Sequence, residues 1–201
     1  MDNLRISTIT ALSQLNTNIN LQKLFENIEI DDTIKFIEWG LDNRKGINHK
    51  EVKKKKRSSS KKRNVFYNQV TLHYYLDKII NVKIFNNGKI HMSGLKKLEY
   101  GKQVSEGKLL TEQLIKLFTK LNNKDSVVDN IDMKMINYSV INIVSDFTID
   151  YKIDRDVLHR HIINMNMFSS YEPLIYPGVN IKYFYNTDYN DGICKCTCKC
   201  N

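Results

Sequence analysis

The chain has 201 residues, 41% of them hydrophobic, so it can bury a sizeable core in one large or two small domains. No apolar run approaches the roughly 18 residues of a membrane span, and the chain does not open with a charged-then-apolar segment, so we expect a soluble intracellular protein without membrane contact. The net charge is +9, but residues 50–63 hold nine Lys or Arg against one Glu and so carry +8 of it. The other 187 residues together carry only +1, so the basic character of the chain is confined to one segment.

The part of the chain before this basic tract predicts two strands around a helix. Residues 4–10 and 34–39 have the composition of strands. Apolar residues between them recur on one helical face: Leu21, Leu24, Phe25 and Ile28. Residues 40–64 lack hydrophobic periodicity and are rich in Asn and Gly, then in Lys and Ser, so we predict a disordered insertion there.

Three further strands and a long helix are predicted after the insertion. The strand-like runs are residues 68–76, 81–85 and 89–93, and Asn-Gly between the last two is a strong hairpin signal. A helix over residues 109–121 closes the set. Because side chains alternate along a strand, the hairpin should have a core face and a second, solvent-facing side. The core residues are Val82, Ile84, Ile90 and Met92, and the others are Lys83, Phe85, Lys89, His91 and Ser93.

The same order of elements then begins again. Residues 142–145 are similar to residues 4–7, and residues 153–162 repeat the apolar spacing of residues 19–28, which indicates an internal repeat. Residues 168–178, Phe-Ser-Ser-Tyr-Glu-Pro-Leu-Ile-Tyr-Pro-Gly, contain both prolines of the chain. They predict a rigid turn with Tyr176 at its tip, followed by a strand over residues 179–185.

This eleven-residue string resembles the second stirrup of the TATA-box-binding protein (TBP) family, and residues 84–94 resemble the family's Ile-Phe-x-Ser-Gly-Lys-x-x-x-Thr-Gly hairpin. The resemblance implies an α+β fold, a TBP-like saddle in which a curved antiparallel sheet carries helices on its convex face. Residues 1–121 would be the first repeat, 122–137 a linker, and 138–201 an incomplete second repeat ending in a Cys/Lys tail. The composition, with 24 Ile and 23 Asn against one Ala, is similar to that of homologues from large DNA viruses.

The resemblance also implies which residues would meet DNA. Aromatic wedges would be Phe85 and Tyr67 in the first repeat, with Phe66 replacing Tyr67 if the register slips by one, and Tyr176 in the second. The groove-facing residues would be Asn142, Val144, Ile6, Thr8, Lys83, His91 and Ser93. The phosphate contacts would be Lys89, Lys96, His73, Lys182 and the basic tract Lys53, Lys54, Lys55, Lys56, Arg57, Lys61, Lys62 and Arg63. Partner docking would involve Glu172, Leu174 and Ile175.

Several of these residues have simpler interpretations. Most aromatic residues in a chain with 11 Tyr and 8 Phe lie in the core or are exposed without a role. His73 and His91 are also typical of solvent-facing strand histidines. The basic tract is compatible with phosphate neutralisation, a nuclear import signal or a solvated loop.

The predicted function is that of a general transcription initiation factor that binds the minor groove of A·T-rich promoter DNA and bends it. Its partners would be a transcription factor IIB-like factor and the RNA polymerase machinery, in the nucleus or at a cytoplasmic viral transcription site. The alternative is a TBP-like interaction scaffold with weak or non-specific DNA binding. We expect no enzyme, because no nucleophile motif or phosphate loop is present. We expect no cofactor and no metal, because alternate residues of an extended strand cannot converge on one tetrahedral ion. The four cysteines alternate in this way: Cys194, Cys196, Cys198 and Cys200.

Overall fold

The computed structural model describes residues 4–48, 66–98 and 105–183 of the chain. The chain divides into two compact units, Met1–Phe147 and Thr148–Asn201. Among the described residues, the first unit contains seven antiparallel strands and two helices, and the second contains one helix and a two-stranded hairpin. The predicted α+β class with an antiparallel sheet is confirmed. The predicted repeat boundaries stay a prediction.

The large sheet has the strand order β3-β2-β4-β5-β6-β1-β7. Its strands are β1 (Arg5–Leu15), β2 (Ile34–Trp39), β3 (Asn43–Gly46), β4 (Gln69–Tyr75), β5 (Ile79–Phe85), β6 (Lys89–Leu95) and β7 (Met135–Asp146). The helices of this unit are α1 (Leu21–Asn27) and α2 (Glu106–Asn122). The second unit contains α3 (Arg155–Asn164), β8 (Phe168–Ser170) and β9 (Asn180–Lys182).

The core lies between the sheet and the two helices of the first unit. The predicted alternation in the β5–β6 hairpin is confirmed, because Val82, Ile84, Ile90 and Met92 are all fully buried. Residues spaced three and four apart on α2 pack into the same cluster: Leu110, Leu114, Phe118 and Leu121. Fully burying one such side chain contributes about 1.5–3 kcal/mol, so this face is what holds α2 against the sheet.

Strand β1 continues to Leu15, whereas the sequence predicts a strand that ends at residue 10. The alternation continues through Ala11, Ser13 and Leu15, all of which are buried. Ala, Ser and Gln are not among the residues enriched in strands, which explains the early predicted end. Tertiary contacts override that preference, since Thr111 on α2 donates a hydrogen bond to the buried Ser13 hydroxyl at 3.0 Å.

The predicted disorder of residues 40–48 is wrong, because Asn43–Gly46 form β3 and pair with β2. Arg44 donates to the Glu38 carboxylate at 2.7 Å across this pair. The Lys45 ammonium donates to the main-chain carbonyls of Phe25, Glu26 and Ile28 at 2.6, 2.8 and 3.0 Å. It therefore satisfies carbonyls at the carboxyl end of α1 that have no partner within the helix. Residues 49–64 of the predicted insertion lie outside the described residues.

The helices begin at polar residues that cap them. The side chains of Asn20, Ser105 and Asp154 accept hydrogen bonds from the N–H groups of the third residue after each, at 3.1, 3.3 and 3.0 Å. Such caps satisfy main-chain donors that have no partner within the helix. Because Ser105 caps α2, that helix begins at Glu106, three residues before its predicted start.

Glu106 ties the start of α2 to the edge of the β5–β6 hairpin. Its carboxylate accepts from the N–H groups of Lys96 and Lys97 at 2.6 and 3.2 Å, and from the Lys78 ammonium at 3.0 Å. Burial alone would raise the pKa of Glu106, but these hydrogen bonds and the charge of Lys78 hold it below its ordinary value. The side chain is thus an anchor for the helix and stays charged.

In the second unit, β8 and β9 pair as an antiparallel hairpin beside α3. His159 on α3 lies 2.8 Å from the Ser169 hydroxyl on β8. The Arg155 guanidinium donates to the Pro177 carbonyl at 2.6 Å and so fixes the loop between the two strands. In the described residues, the predicted strand over 179–185 is limited to Asn180–Lys182.

Within the described ranges, no helix combines the length and the hydrophobicity that crossing a membrane requires.

Candidate nucleic-acid interface

Polar side chains form rows across the sheet on the side opposite the core. In one row Ser93 of β6 lies opposite Thr10 of β1, and Thr10 lies opposite Asn142 of β7. Thr8 and Val144 form the next pair along these strands. Directly opposed residues present their side chains on the same face of a sheet. We call this surface the polar face: Thr8, Thr10, Lys83, Lys89, His91, Ser93, Asn142 and Val144.

The structure therefore brings together six of the seven residues predicted to face a groove. Ile6 is the exception, and its predicted place on this face is wrong. Its side chain packs against the hydrophobic core. The register of β1 against β7 shifts between Ile6 and Thr8, which reverses the expected alternation at that point.

The centre of the polar face holds a cation and a histidine side by side. Lys83 of β5 lies directly opposite His91 of β6. Burial first, and the charge of Lys83 second, lower the pKa of His91 below its ordinary value. The His91 Nδ1 is buried, and no group in the described residues hydrogen-bonds to it. His91 is therefore neutral at pH 7, while Lys83 supplies the positive charge.

Aromatic residues lie at one end of the polar face. Phe85 ends β5 opposite Gln69 of β4, and the N–H of Asn86 donates to the Asn68 carbonyl at 3.3 Å. Tyr67 and Phe66 lie two and three residues before the first residue of β4, with 65% and 56% of their surface exposed. The fold thus places the predicted wedges of the first repeat at the same ends of two adjacent strands.

The hairpin turn after Phe85 is fixed by the end of β1. The carbonyls of Asn86, Asn87 and Gly88 accept hydrogen bonds from Ile19 N–H, the Gln14 amide and Leu15 N–H, at 2.8, 2.7 and 3.0 Å. Gly88 has a φ of +78°, and a Cβ there would lie 2.2 Å from the Thr17 carbonyl oxygen. The turn therefore requires glycine for both conformation and space.

The residues predicted to contact phosphates lie in different parts of the chain. Lys89 and Lys96 are exposed. Lys182 lies in the second unit, with its ammonium 4.6 Å from the centre of the Phe168 ring. The basic-tract residues lie outside the described part of the chain.

The predicted phosphate contact and solvent exposure of His73 are wrong. His73 is only 2% exposed. It lies opposite Phe36 of β2, and the two ring centres are 4.9 Å apart. A large aromatic neighbour on the adjacent strand thus covers a position that strand alternation alone predicts to be exposed.

The proline-containing loop of the second unit presents apolar side chains. The N–H groups of Ile175 and Tyr176 both donate to the Glu172 carbonyl at 2.9 Å, which closes a tight turn. The two residues predicted to dock a partner with Glu172 are highly exposed, Leu174 at 101% and Ile175 at 85%. Tyr176, the predicted wedge, is 66% exposed, and its ring packs beside Gly178, where a Cβ would lie 2.6 Å from the ring.

Two residues beside the interface were not singled out from the sequence. Trp39 donates from its indole nitrogen to the Tyr67 carbonyl at 3.1 Å. Gly40 lies beneath the Tyr67 ring, where a Cβ would be 3.0 Å from it. The signal available was weak, because it consisted only of the single Trp of the chain at a predicted strand end.

Two acidic residues, Asp146 and Asp154, have structural roles. Hydrogen bonds from Ser7 and Arg5 hold the pKa of Asp146 below its ordinary value. Asp154 caps α3. In residues 4–48, 66–98 and 105–183 there is no group of three or more His, Cys, Asp or Glu that could hold a metal ion. The Cys tail lies beyond those ranges.

The similarity to one viral protein supports the resemblance carried by the two sequence motifs. The chain is 33% identical over 173 residues to a protein of Acanthamoeba polyphaga mimivirus named "TATA-box-binding protein-like". The match covers 78% of this chain and 44% of the relative, so the chain spans less than half the length of that relative. A solved structure, "Methanococcus jannaschii TBP", aligns with a TM-score of 0.48 and 17% identity, over 88% of this chain and 74% of the other. No family model matches.

Proposed function

Since this chain is related to the TATA-box-binding protein family, we propose that it is a transcription initiation factor that binds the minor groove of A·T-rich promoter DNA. The row formed by Ser93, Thr10 and Asn142 supports the proposal most directly, because it places hydroxyl and amide groups side by side on three adjacent strands. Such groups can donate to the adenine N3 and thymine O2 acceptors, which are the groups that an A·T pair presents in the minor groove.

Charge on the same face would hold the duplex in place. Lys83 lies within the polar face and Lys89 at its edge. Lysine ammonium groups bind phosphates without reading sequence, so they contribute affinity and orientation. We assign the preference for A·T pairs to the row of Ser93, Thr10 and Asn142. We assign affinity to these two lysines and to the basic tract.

Bending of the DNA is the second part of the proposal. Phe85 and Tyr67 would insert at a base step, because apolar wedges at the minor groove unstack bases and kink the duplex. The Tyr67 hydroxyl must remain hydrated or paired, because burying it without a partner would cost roughly 1–3 kcal/mol. We therefore expect Phe85 to contribute more to the kink than Tyr67. In the second unit, Tyr176 would act in the same way.

We further propose that Glu172, Leu174 and Ile175 dock a transcription factor IIB-like factor, which would recruit the polymerase machinery. Leu174 and Ile175 are exposed apolar residues on a turn fixed by Arg155, which suits a protein contact. The site of action would be the nucleus or a cytoplasmic viral transcription site.

The proposal is tested by the affinity and bend angle of labelled duplexes. We expect the chain to bind an A·T-rich duplex more tightly than a G·C-rich one at each salt concentration, and energy transfer between end labels to show a bend. Phe85→Ala should reduce the bend while leaving most of the affinity, because the wedge acts only on the kinked step. Tyr75→Ala is the matched control, since it removes an exposed aromatic from the opposite end of β4.

Equal and salt-labile binding of both duplexes, with no bend, would contradict the proposal. That outcome would favour a second candidate function, a TBP-like protein-interaction scaffold with weak or non-specific DNA binding. The observation that favours the scaffold is the near-complete exposure of Leu174 and Ile175.

A further inference from the structure

Trp39 connects the helix side of the sheet to the aromatic end of the polar face. It is the last residue of β2 and lies opposite Val70 of β4. Its ring is partly buried against the core, with its centre 6.4 Å from that of Phe25 on α1. Its indole nitrogen donates to the Tyr67 carbonyl at 3.1 Å. One rigid side chain thus joins a packed helix to the main chain of Tyr67.

Gly40 supports the same residue from the next position. It has a φ of +72°, and a Cβ added there would lie 3.0 Å from Cε1 of the Tyr67 ring. The ring of Tyr67 therefore passes close over the backbone, while 65% of the residue stays exposed. The Tyr67 ring is therefore accessible to a ligand, while Trp39 and Gly40 restrain the main chain that carries it.

We infer that Trp39 is a positioning residue for Tyr67, acting through the hydrogen bond from its indole nitrogen to the Tyr67 carbonyl. The inference deepens the proposed function and rests on it. A wedge that must be ordered on binding loses part of its interaction free energy to that ordering, whereas a restrained wedge does not. Phe85 is restrained by the hydrogen bonds of its hairpin turn, and Tyr67 is restrained in the described residues by Trp39 and Gly40.

The test is a double-mutant cycle between residues 39 and 67, measured as DNA bend angle. Trp39→Phe keeps an aromatic ring against Phe25 and removes the donor. We expect it to lose as much bend as Tyr67→Ala, and the double variant to lose no more than either single variant, because both changes remove one wedge. Gly40→Ala should also reduce the bend, because the new Cβ displaces the ring.

A stability control separates positioning from general loosening of the fold. Ile80→Val removes part of a fully buried core side chain at the end of β5 opposite to Phe85. It should lower the free energy of unfolding and leave the bend angle unchanged. If Ile80→Val reduces the bend as Trp39→Phe does, the positioning role is refuted.

The remaining outcomes separate the inference from the function on which it rests. A normal bend in Trp39→Phe, with a reduced bend in Tyr67→Ala, refutes the inference and leaves the proposed function intact. Bend losses that add in the double variant also refute it, because Trp39 would then act elsewhere. An unchanged bend in both Tyr67→Ala and Phe85→Ala refutes the proposed wedge function itself.

Discussion

His91 shows how a single residue on the polar face responds to its surroundings. Strand alternation predicts that it shares a face with Lys83, and the register places the two residues directly opposite each other. The sequence does not predict that its Nδ1 is buried without a hydrogen-bond partner among the described residues, because that depends on neighbouring strands. The resulting pKa, lowered by burial and then by Lys83, makes protonation of His91 unfavourable in the folded protein.

This lowered pKa predicts a pH-dependent stability. Between the lowered folded pKa and the ordinary value of about 6.5, the unfolded chain binds more protons at His91 than the folded chain does. The free energy of unfolding should therefore fall as the pH drops below about 6.5. The measurement is urea unfolding at neutral and mildly acidic pH, in which His91→Gln should lose less stability than the wild type.

His161→Gln is the matched control, because His161 is an exposed histidine on α3. It should lose stability on acidification as the wild type does. An identical loss in His91→Gln and the wild type would mean that burial of His91 does not control its protonation.

The burial of His73 could not be predicted from the sequence. Its position on β4 follows the same alternation as that of Thr71, and alternation alone predicts an exposed side chain. Phe36 lies opposite it on β2, and that pairing removes it from solvent. The face of a residue is a property of its own strand, but its burial depends on the size of its neighbours across the sheet.

At the scale of elements, the β5–β6 hairpin was predicted most closely. Asn87-Gly88 gives a turn signal that is local, and Gly88 has the positive φ that such turns require. Its attachment to the end of β1 was not predictable, because the extension of β1 to Leu15 depends on packing against α2. The hairpin that presents Phe85 is thus specified locally and fixed by a distant segment.

Gly88→Ala should destabilise the protein by more than about 2 kcal/mol, since an unfavourable backbone conformation and a clash both contribute. The clash is with the Thr17 carbonyl oxygen, 2.2 Å from the added Cβ. The measurement is chemical unfolding. Gly94→Ala is the comparison, because Gly94 also has a positive φ of +103° but its nearest atom would be 3.5 Å away. An equal loss in both variants would show that the backbone conformation alone controls the effect.

At the scale of the whole molecule, charge is divided very unevenly. Residues 50–63 carry +8 of the net +9, although they are 14 residues of 201. The rest of the chain is nearly neutral, so its polar face would bind DNA through a few cations and through hydrogen bonds. In the proposed function, DNA affinity and base selectivity would therefore belong to different parts of the chain.

Replacing the Lys and Arg residues of the basic tract with Gln, at constant length, should reduce the salt dependence of DNA binding. If about six phosphates are engaged, the log-log slope should become less steep by about 5 units. The bend angle of the bound duplex should stay the same, because the wedges are retained. The measurement is affinity over a series of salt concentrations, and an unchanged slope would indicate that the tract is a solvated loop or an import signal.

Because period-two alternation and Asn-Gly turns are local properties, the sequence predicted the β5–β6 hairpin and the faces of its side chains. It also carried the two motifs that resemble the TBP family, and that resemblance implied the α+β class. Four features follow only from tertiary contacts: the length of β1, the inward packing of Ile6, the burial of His73 and the bond from Trp39 to Tyr67. These four features depend on which strands are neighbours and in what register. Such pairings join residues far apart in the chain, so no local pattern specifies them.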